Sequence, residues 1–349
     1  MKKLSKKSLD GFINYGIVIA FFIVCQILSI AGVMTNSLAG QLVPICSYVI
    51  MALSLNLVVG ISGELSLGHA GFMSVGAFSA VLVAALIGKD MPGLLTFIVA
   101  VIVAVILAAI AGALIGIPVL RLKGDYLAIV TLAFGEIIKS IVNNLFAGVS
   151  PKGLHFSMFD DKSIKKIERL KMVLKGPQGA SGVTKLSSFI AGILLVLITL
   201  FIIQNLVNSK TGRAIEAIRD SKIAASASGI SAMKYKLIAF VISAALAGGA
   251  GALYALNFST VAAKKFDFNT SILILVFVVL GGIGNMRGSI IAATLLTILP
   301  ELLRQFQDYR MLVYAIVLIL VMIISNNSEI KNKLFGIFKK NKKEGADNE

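Results

Sequence analysis

The sequence contains no tryptophan, two cysteines, two histidines and six prolines in 349 residues, and charged side chains make up only 14% of it. A soluble chain carries about 25% charge, so the shortfall excludes an ordinary water-soluble globule. Cys25 and Cys46 both lie in apolar runs, and His69 and His155 are far apart, so neither a disulfide framework nor a metal-ligand pattern is implied. No GxxxxGK[ST] phosphate loop occurs, and ATP hydrolysis by this chain alone is not expected. No apolar run carries the nucleophile, paired carboxylates or metal cluster that a membrane enzyme needs. Barrel-type alternating segments are missing too, and without tryptophan any interfacial aromatic belt falls to tyrosine and phenylalanine.

What the sequence does have is apolar length. It is 57% hydrophobic, with a mean hydropathy of +0.92, and runs of roughly 20 residues recur, each able to cross a core of about 30 Å as a helix. The expected fold class is therefore all-α, a polytopic transmembrane bundle. Spans are placed at 12–33, 41–59, 66–88, 93–119, 125–147, 187–207, 235–256, 268–283, 288–303 and 310–326. The count is about ten, with eight to ten as the range, because the spans at 66–88 and 268–303 are glycine-rich or closely spaced. The organisation predicted is a basic N-terminus over 1–11, a transmembrane domain over 12–326 and a polar tail over 327–349.

The net charge of +16 comes mainly from connections and tails, where the positive-inside rule accounts for it; no nucleic-acid motif accompanies it. Lys2, Lys3, Lys6 and Lys7, and Lys339, Lys340, Lys342 and Lys343, put both termini on the cytoplasmic side. The N-terminal apolar run is too long for a signal peptide and lacks a small-residue cleavage site, so it reads as a retained span. The loop 148–186 conflicts with the rule: the flanking spans hold it outside, yet it carries eight Lys and Arg residues. Within it, SIKKIERLKMVLKG places Ile164, Ile167, Leu170, Val173 and Leu174 at helical spacing, which predicts a surface amphipathic helix.

The stretch GISGELSLGHAGFMSVGAF (60–78) sets five glycines, Glu64 and His69 between apolar runs. Two readings stand. The glycines let neighbouring helices approach closely, with Ser62, Ser66 and Ser74 bonding across; or a discontinuous helix lines an internal cavity, where irregular backbone is tolerated at membrane depth. Glu64 either reaches headgroup water or belongs to that wall, and His69 is either a packed histidine or a substrate contact. In GDYLAIVTLAFGEIIKSIVNN (124–144), Glu136 and Lys139 share a helix face, as a structural pair or as an intramembrane functional site. Asp125 reads as a cap at the helix start.

The loop 208–234 contains KTGRAIEAIRDSKIAASASGISAMKYK. From Gly212 it reads as one short helix closed at Gly229, with Ile215 and Ile218 on one face and Arg213, Glu216 and Asp220 on the other. Such a helix could rest on lipid or dock on a partner. GGIGNMRGS (281–289) forms a tight turn whose Arg287 is either a charge anchor or a contact to an acidic partner.

Taken in order, GELSLGHAGFMSVGA, KGDYLAIVTLAFGEI, GRAIEAIRDSKIAASASGISAMKYKLIAFVISAALAGGAGALYA and LGGIGNMRGSIIAATLL resemble the branched-chain amino acid type of ABC transporter permease, its LivM-like half. GPQGASGV (176–183) also resembles a glycine-rich stretch of that family, and the likeness runs from about 40 to 326. The resemblance implies a permease subunit of an ATP-driven importer, a multi-pass protein of the bacterial inner or plasma membrane. It implies a second, LivH-like permease, two cytoplasmic ABC ATPases and an extracytoplasmic amino-acid-binding protein as partners, with membrane lipids around it. ATP is then used by the ATPases, and this chain binds no cofactor. The coupling residues implied are Gly212, Arg213, Glu216, Ala217, Asp220 and Gly229; Ile218 stands where the general importer pattern has a second alanine. Gly68, His69, Gly71, Ser74 and Glu136 are the candidates for the translocation path. Relatives with these motifs also import urea, short amides or other amino-acid-like solutes, and a stand-alone secondary transporter is the rival from another class.

Overall fold

The computed structural model describes residues 6–30, 36–88, 91–122, 124–150, 153–158 and 171–303, together with Leu312, Ala315, Ile316 and Ile319. The chain divides into two compact units, Met1–Thr294 and Leu295–Glu349. The helices are α1 (Lys6–Ile30), α2 (Asn36–Asn56), α3 (His69–Ile87), α4 (Gly93–Val119), α5 (Asp125–Asn143), α6 (Phe189–Asn208), α7 (Lys210–Asp220), α8 (Lys222–Ala227), α9 (Ala232–Ala255), α10 (Phe268–Gly281) and α11 (Met286–Leu302). Among the described residues, five segments are long and apolar enough to cross a membrane: Leu38–Ile61, His69–Ile87, Gly93–Val119, Phe189–Asn208 and Ala232–Ala255. The charge-based placement of both termini, and most of the expected span at 310–326, fall outside the described residues.

Local chemistry sets the helix ends. Ser188 Oγ accepts the Ala191 N–H at the start of α6, Ser209 Oγ accepts the Gly212 N–H at the start of α7, and Asp267 Oδ1 accepts the Thr270 N–H at the start of α10. Each satisfies an amide that the first helical turn leaves without a partner. The Asp267 carboxyl is held below its ordinary range. Burial alone would raise it, but bonds from the Thr270 amide, the Asn269 side chain and the Thr270 side chain, with the Lys139 cation, outweigh that.

The α2 span is the centre of the bundle, 94% buried over its most apolar window, whereas α4 and α6 are 33% buried and turn long aliphatic faces outward. α9 packs against α2, α3 and α4, and α3 packs against α4. The α9 sequence AALAGGAGALYA removes side chains where the crossings are tightest. A Cβ at Gly248 would lie 2.7 Å from Ala104 O and overlap the Ala108 methyl on α4, and one at Gly251 would overlap Met73 O on α3. On α3, a Cβ at Gly76 would overlap Gly248 itself. With no hydrophobic force between helices in lipid, such backbone-to-backbone approach supplies the packing.

The structure bears out a mostly helical fold and adds a small sheet that the all-α expectation omitted. A five-stranded antiparallel sheet, in the order β2-β1-β3-β4-β5, is built from β1 (Leu145–Ser150), β2 (Gly153–Met158), β3 (Lys171–Lys175), β4 (Ala180–Ser181) and β5 (Thr260–Val261). The register pairs Ser150 with Gly153 and Leu145 with Met158 across β1 and β2, and Ala180 with Val261 across β4 and β5. So the fifth span ends at Asn143 instead of running to 147, and the described end of the expected surface helix, 171–175, is a strand; its earlier part lies outside the described residues. Helical spacing of Val173 and Leu174 misled because both are buried beside β1 and β4, partners that sequence periodicity does not record. Three positive-φ glycines, Gly176, Gly179 and Gly182, turn the chain through this region.

The two adjacent glycines of α9 provide a test of the tight crossing. Gly248→Ala puts a methyl into Ala108 and Ala104, and overpacking of this kind costs roughly 1–3 kcal/mol. At Gly249 the nearest atom to a new Cβ is Val105 Cγ2, 3.3 Å away at the end of a side chain. Thermal unfolding in detergent should show Gly248→Ala clearly below the parent and Gly249→Ala near it. Equal losses would place the crossing elsewhere.

Candidate functional site

A helix that breaks at membrane depth leaves carbonyls and amides without partners, and water is not there to supply them. The chain breaks in this way between α2 and α3. Residues Leu57–Ile61 form one π-helical turn, in which Ser62 N–H donates to Leu57 O (3.1 Å) and Glu64 N–H to Val58 O (3.0 Å). Seven irregular residues, 62–68, follow before α3 starts at His69. Turns of this kind are rare and often mark functional positions.

Several backbone groups at the break find partners on other helices. Asn56, 1% exposed, accepts the Gly284 N–H through Oδ1 (2.8 Å) and donates from Nδ2 to Ser289 Oγ (3.0 Å). Gly60 must be glycine there, because a Cβ would overlap Asn56 Oδ1 and the Gly284 amide. Arg219 Nη1 donates to Gly60 O (3.0 Å). Leu67 N–H donates to Thr131 Oγ1 (3.0 Å) on α5, and Ala70 N–H donates to Ser271 Oγ (3.1 Å) on α10.

Four of the predicted path residues gather at the start of α3. Gly68 faces Thr131, whose carbonyl a Cβ would overlap, and Gly71 faces Gly135, where a Cβ would lie 3.0 Å from the α-carbon. Both are therefore close-contact glycines, consistent with the packing alternative. His69 is 2% exposed, and its Nε2 lies 2.7 Å from Ser54 Oγ on α2. Ser54 Oγ donates its proton to Met51 O (2.9 Å), which assigns the proton of this contact to Nε2. The ring meets Phe72 edge-on, with centroids 6.2 Å apart. His69 thus pins the first residue of α3 to α2. Ser74 is fully buried, and its hydroxyl, like those of Ser62 and Ser66, has no protein partner among the described residues.

Glu136, the fifth candidate, pairs with Lys139 and accepts the Phe268 N–H at the first residue of α10 (3.2 Å). The carboxylate sits where the positive end of that helix favours it. Glu136 and Gly135 are neighbours on α5, so this one helix contacts the start of α3 with one residue and that of α10 with the next.

Glu64 does not reach out to headgroup water. It forms an ion pair with Lys236 near the start of α9, and the two side chains are only 12% and 14% exposed. Sequence reasoning missed this pair, because 172 residues separate the partners and no periodicity joins them. It also missed Asn56 and Thr131, although an asparagine inside an apolar run was a visible signal.

The loop 208–234 departs from the single helix expected. Ser221 takes an extended backbone and ends α7, and its Oγ caps α8 by accepting the Ala224 N–H (3.3 Å). Ile215 and Ile218, the face expected to meet lipid or a partner, are 1% and 2% exposed; they lie within this chain. Gly212 sits in the turn from α6, where a Cβ would overlap the Val207 carbonyl. Arg213 is exposed and donates to Asn208 O (3.3 Å), and Glu216 and Ala217 are half-buried. Asp220 is exposed and bound by Arg219. Gly229 has φ +80°, with open space where a Cβ would go. The outermost apolar side chain is Ile223, 86% exposed. In the turn at 281–289, Arg287 Nε donates to Asn14 Oδ1 on α1 (2.9 Å).

Near the sheet, Val81, Ala84, Gly88, Val173, Gly182 and Thr184 line a cavity of about 70 Å³, well below the roughly 300 Å³ of a small-molecule pocket. Among the described residues, no three His, Cys, Asp or Glu side chains gather as a metal site.

Residues 37–322 match the family model for the branched-chain amino acid transport system permease component. The high-affinity branched-chain amino acid transport system permease protein LivM of Salmonella typhimurium is 39% identical over 287 residues, 79% of this chain and 66% of that protein. LivM of Escherichia coli is 39% identical over 292 residues, with the same coverage. The chain thus spans just under two-thirds of the length of these relatives. No solved structure matches.

The Glu64–Lys236 pair makes a stability prediction. Removing one partner of a buried pair leaves the other charged and desolvated, at a cost of roughly 3–5 kcal/mol, whereas replacing both with apolar residues is far milder. Glu64→Leu and Lys236→Met should each melt well below the parent in detergent, and the double variant should recover most of the loss. Additive losses would show that the two side chains are not coupled.

Proposed function

The chain belongs to the permease-component family of branched-chain amino acid transport systems, and on that premise we propose that it is the membrane subunit through which an ATP-driven importer moves branched-chain amino acids. The observation that carries the reading is the broken helix between α2 and α3, a place at membrane depth where backbone and small polar groups stand clear of regular structure. Ser62, Ser66 and Ser74 supply buried hydroxyls that the fold does not use. A zwitterionic substrate needs such groups for its carboxylate and ammonium, and Gly68, His69 and Gly71 hold the wall in place. Glu136 orders the neighbouring start of α10.

The 70 Å³ cavity near the sheet is too small for such a substrate, which favours a path completed by a second, LivH-like permease. The positive-inside rule puts both termini and the loop 208–234 in the cytoplasm of a bacterial cell, across about ten spans. One of two ATPases then meets the loop, and an extracytoplasmic binding protein delivers substrate on the side of the sheet. Gly212, Arg213, Glu216, Ala217, Asp220 and Gly229 shape the loop. Because Ile215 and Ile218 face inward, the contact with the ATPase falls on α8, with Ile223 as its apolar anchor.

Three experiments test the reading. Proteoliposomes holding this chain, the second permease, the ATPases and the binding protein should accumulate leucine on ATP addition, and urea or acetamide should not compete. Competition by either would move the substrate class to amides; uptake by this chain alone would support a secondary transporter. Gly71→Leu should abolish uptake while inserting normally, because the space before Gly135 does not admit the side chain. Single cysteines at 220 and 223 should crosslink to the ATPase more strongly than one at the half-buried 216. Free labelling of all three in the assembled complex would remove the docking assignment.

A further inference from the structure

We propose that Arg219 is the positioning residue that transmits movement of the docking loop to the membrane break, by clasping the carbonyl of Gly60; this rests on the permease reading above.

The carbonyl of Gly60 lies at the end of the α2 span, where a helix leaves acceptors unfilled and carries partial negative charge. The two backbone bonds that close the π turn go to Leu57 O and Val58 O, and Gly60 O receives Arg219 Nη1 (3.0 Å). The guanidinium is aimed before it arrives. Its Nε and Nη2 both donate to Asp220 Oδ1, at 3.1 and 3.0 Å, a planar fork that lysine does not reproduce. The stem of Arg219 runs across Gly63, where a Cβ would lie 2.7 Å from Arg219 Cγ and where φ is +72°. Glycine at 63 serves both needs, the left-handed backbone and the passage of the arginine.

The two ends of this clasp differ in what they are fixed to. On the loop side, α7 is anchored by the buried Ile215 and Ile218, while α8 with Ile223 faces out. A force on α8 therefore passes through α7, and Arg219 stands at its last turn. On the membrane side, Gly60 packs against the Gly284 turn, and the chain beyond it leads through Glu64, tied to Lys236, to His69, tied to Ser54. Displacing Arg219 moves the Gly60 carbonyl, from which the chain runs through residues 62–68 to the start of α3. Asp220 belongs to the same device as the group that holds the fork, which gives its carboxylate a task within this chain.

Hydrogen exchange and transport test the proposal together. In the chain alone, in nanodiscs, the peptide covering 57–66 should exchange faster in Arg219→Ala by about tenfold, the change expected for loss of one charge-assisted bond. In the reconstituted complex, wild type should show a difference in that peptide between nucleotide-free and ATP-trapped states. Arg219→Ala should lose the difference, take up leucine at least about tenfold more slowly, and keep wild-type amounts of co-purifying ATPase and basal ATP hydrolysis. Arg219→Lys, which reaches one carbonyl without the fork, should recover part of both. Four results would each overturn the proposal: unchanged exchange in the chain alone, a wild-type peptide insensitive to nucleotide, uptake by Arg219→Ala within twofold of wild type, or loss of the ATPases from that variant. The last would make Arg219 a support of the loop's own shape. A wild-type complex that moves no leucine but passes the exchange tests would refute the substrate reading and leave the clasp standing.

Discussion

A backbone group left without a partner inside a bilayer costs several kcal/mol, and the arrangement around residues 57–71 follows from that constraint. Two amides and a carbonyl at the break are met by Thr131 from α5, Ser271 from α10, and Arg219 from α7. Asn56 does the complementary work for the turn between α10 and α11. Remove the break and these polar side chains lose their purpose. Keep it, and α5, α7, α10 and the 282–285 turn must all converge on one short stretch. The positions of four elements are therefore answers to a single local irregularity.

The glycines answer the geometric half of the same demand. A side-chain hydroxyl reaches a neighbouring amide only if the two backbones come close, which is why Gly68 and Gly71 stand opposite Thr131 and Gly135. The same logic, without hydrogen bonds, operates where α9 crosses α3 and α4 at Gly76, Gly248 and Gly251. One set of crossings makes a rigid block of three helices. The other attaches to that block a segment held by separable bonds.

Length and hydropathy made the helices legible: apolar runs at 93–119 and 187–207 became α4 and α6 with shifts of no more than two residues. Gly229 was legible as well, since its left-handed backbone follows from glycine near the end of a helix. The sheet was not, because β4 and β5 pair across some 80 residues and each is only two residues long. Ser221 splits the loop helix through a capping bond that the run of helix-forming neighbours concealed. In the candidate site, the glycines and His69 stood out as residues, but their roles did not. Periodicity says that Gly71 lies on a face; only the approach of Gly135 says why no methyl fits there. Likewise, Glu64 and Arg219 are defined by partners far away in sequence.

The strands matter beyond their size. They lace the segment after α5 to the segment before α6, and both to the connection between α9 and α10, with further bonds from Val183 N–H to Ser259 O and Leu186 N–H to Leu256 O. The loop helix α7 lies at the other end of α6, whose 20 residues span about 30 Å. A bundle laced by strands at one end and held by single side-chain bonds at the other behaves as a set of levers with its fulcrum at the strands. Small displacements where α6 meets α7 would become tilts that vanish toward the strands.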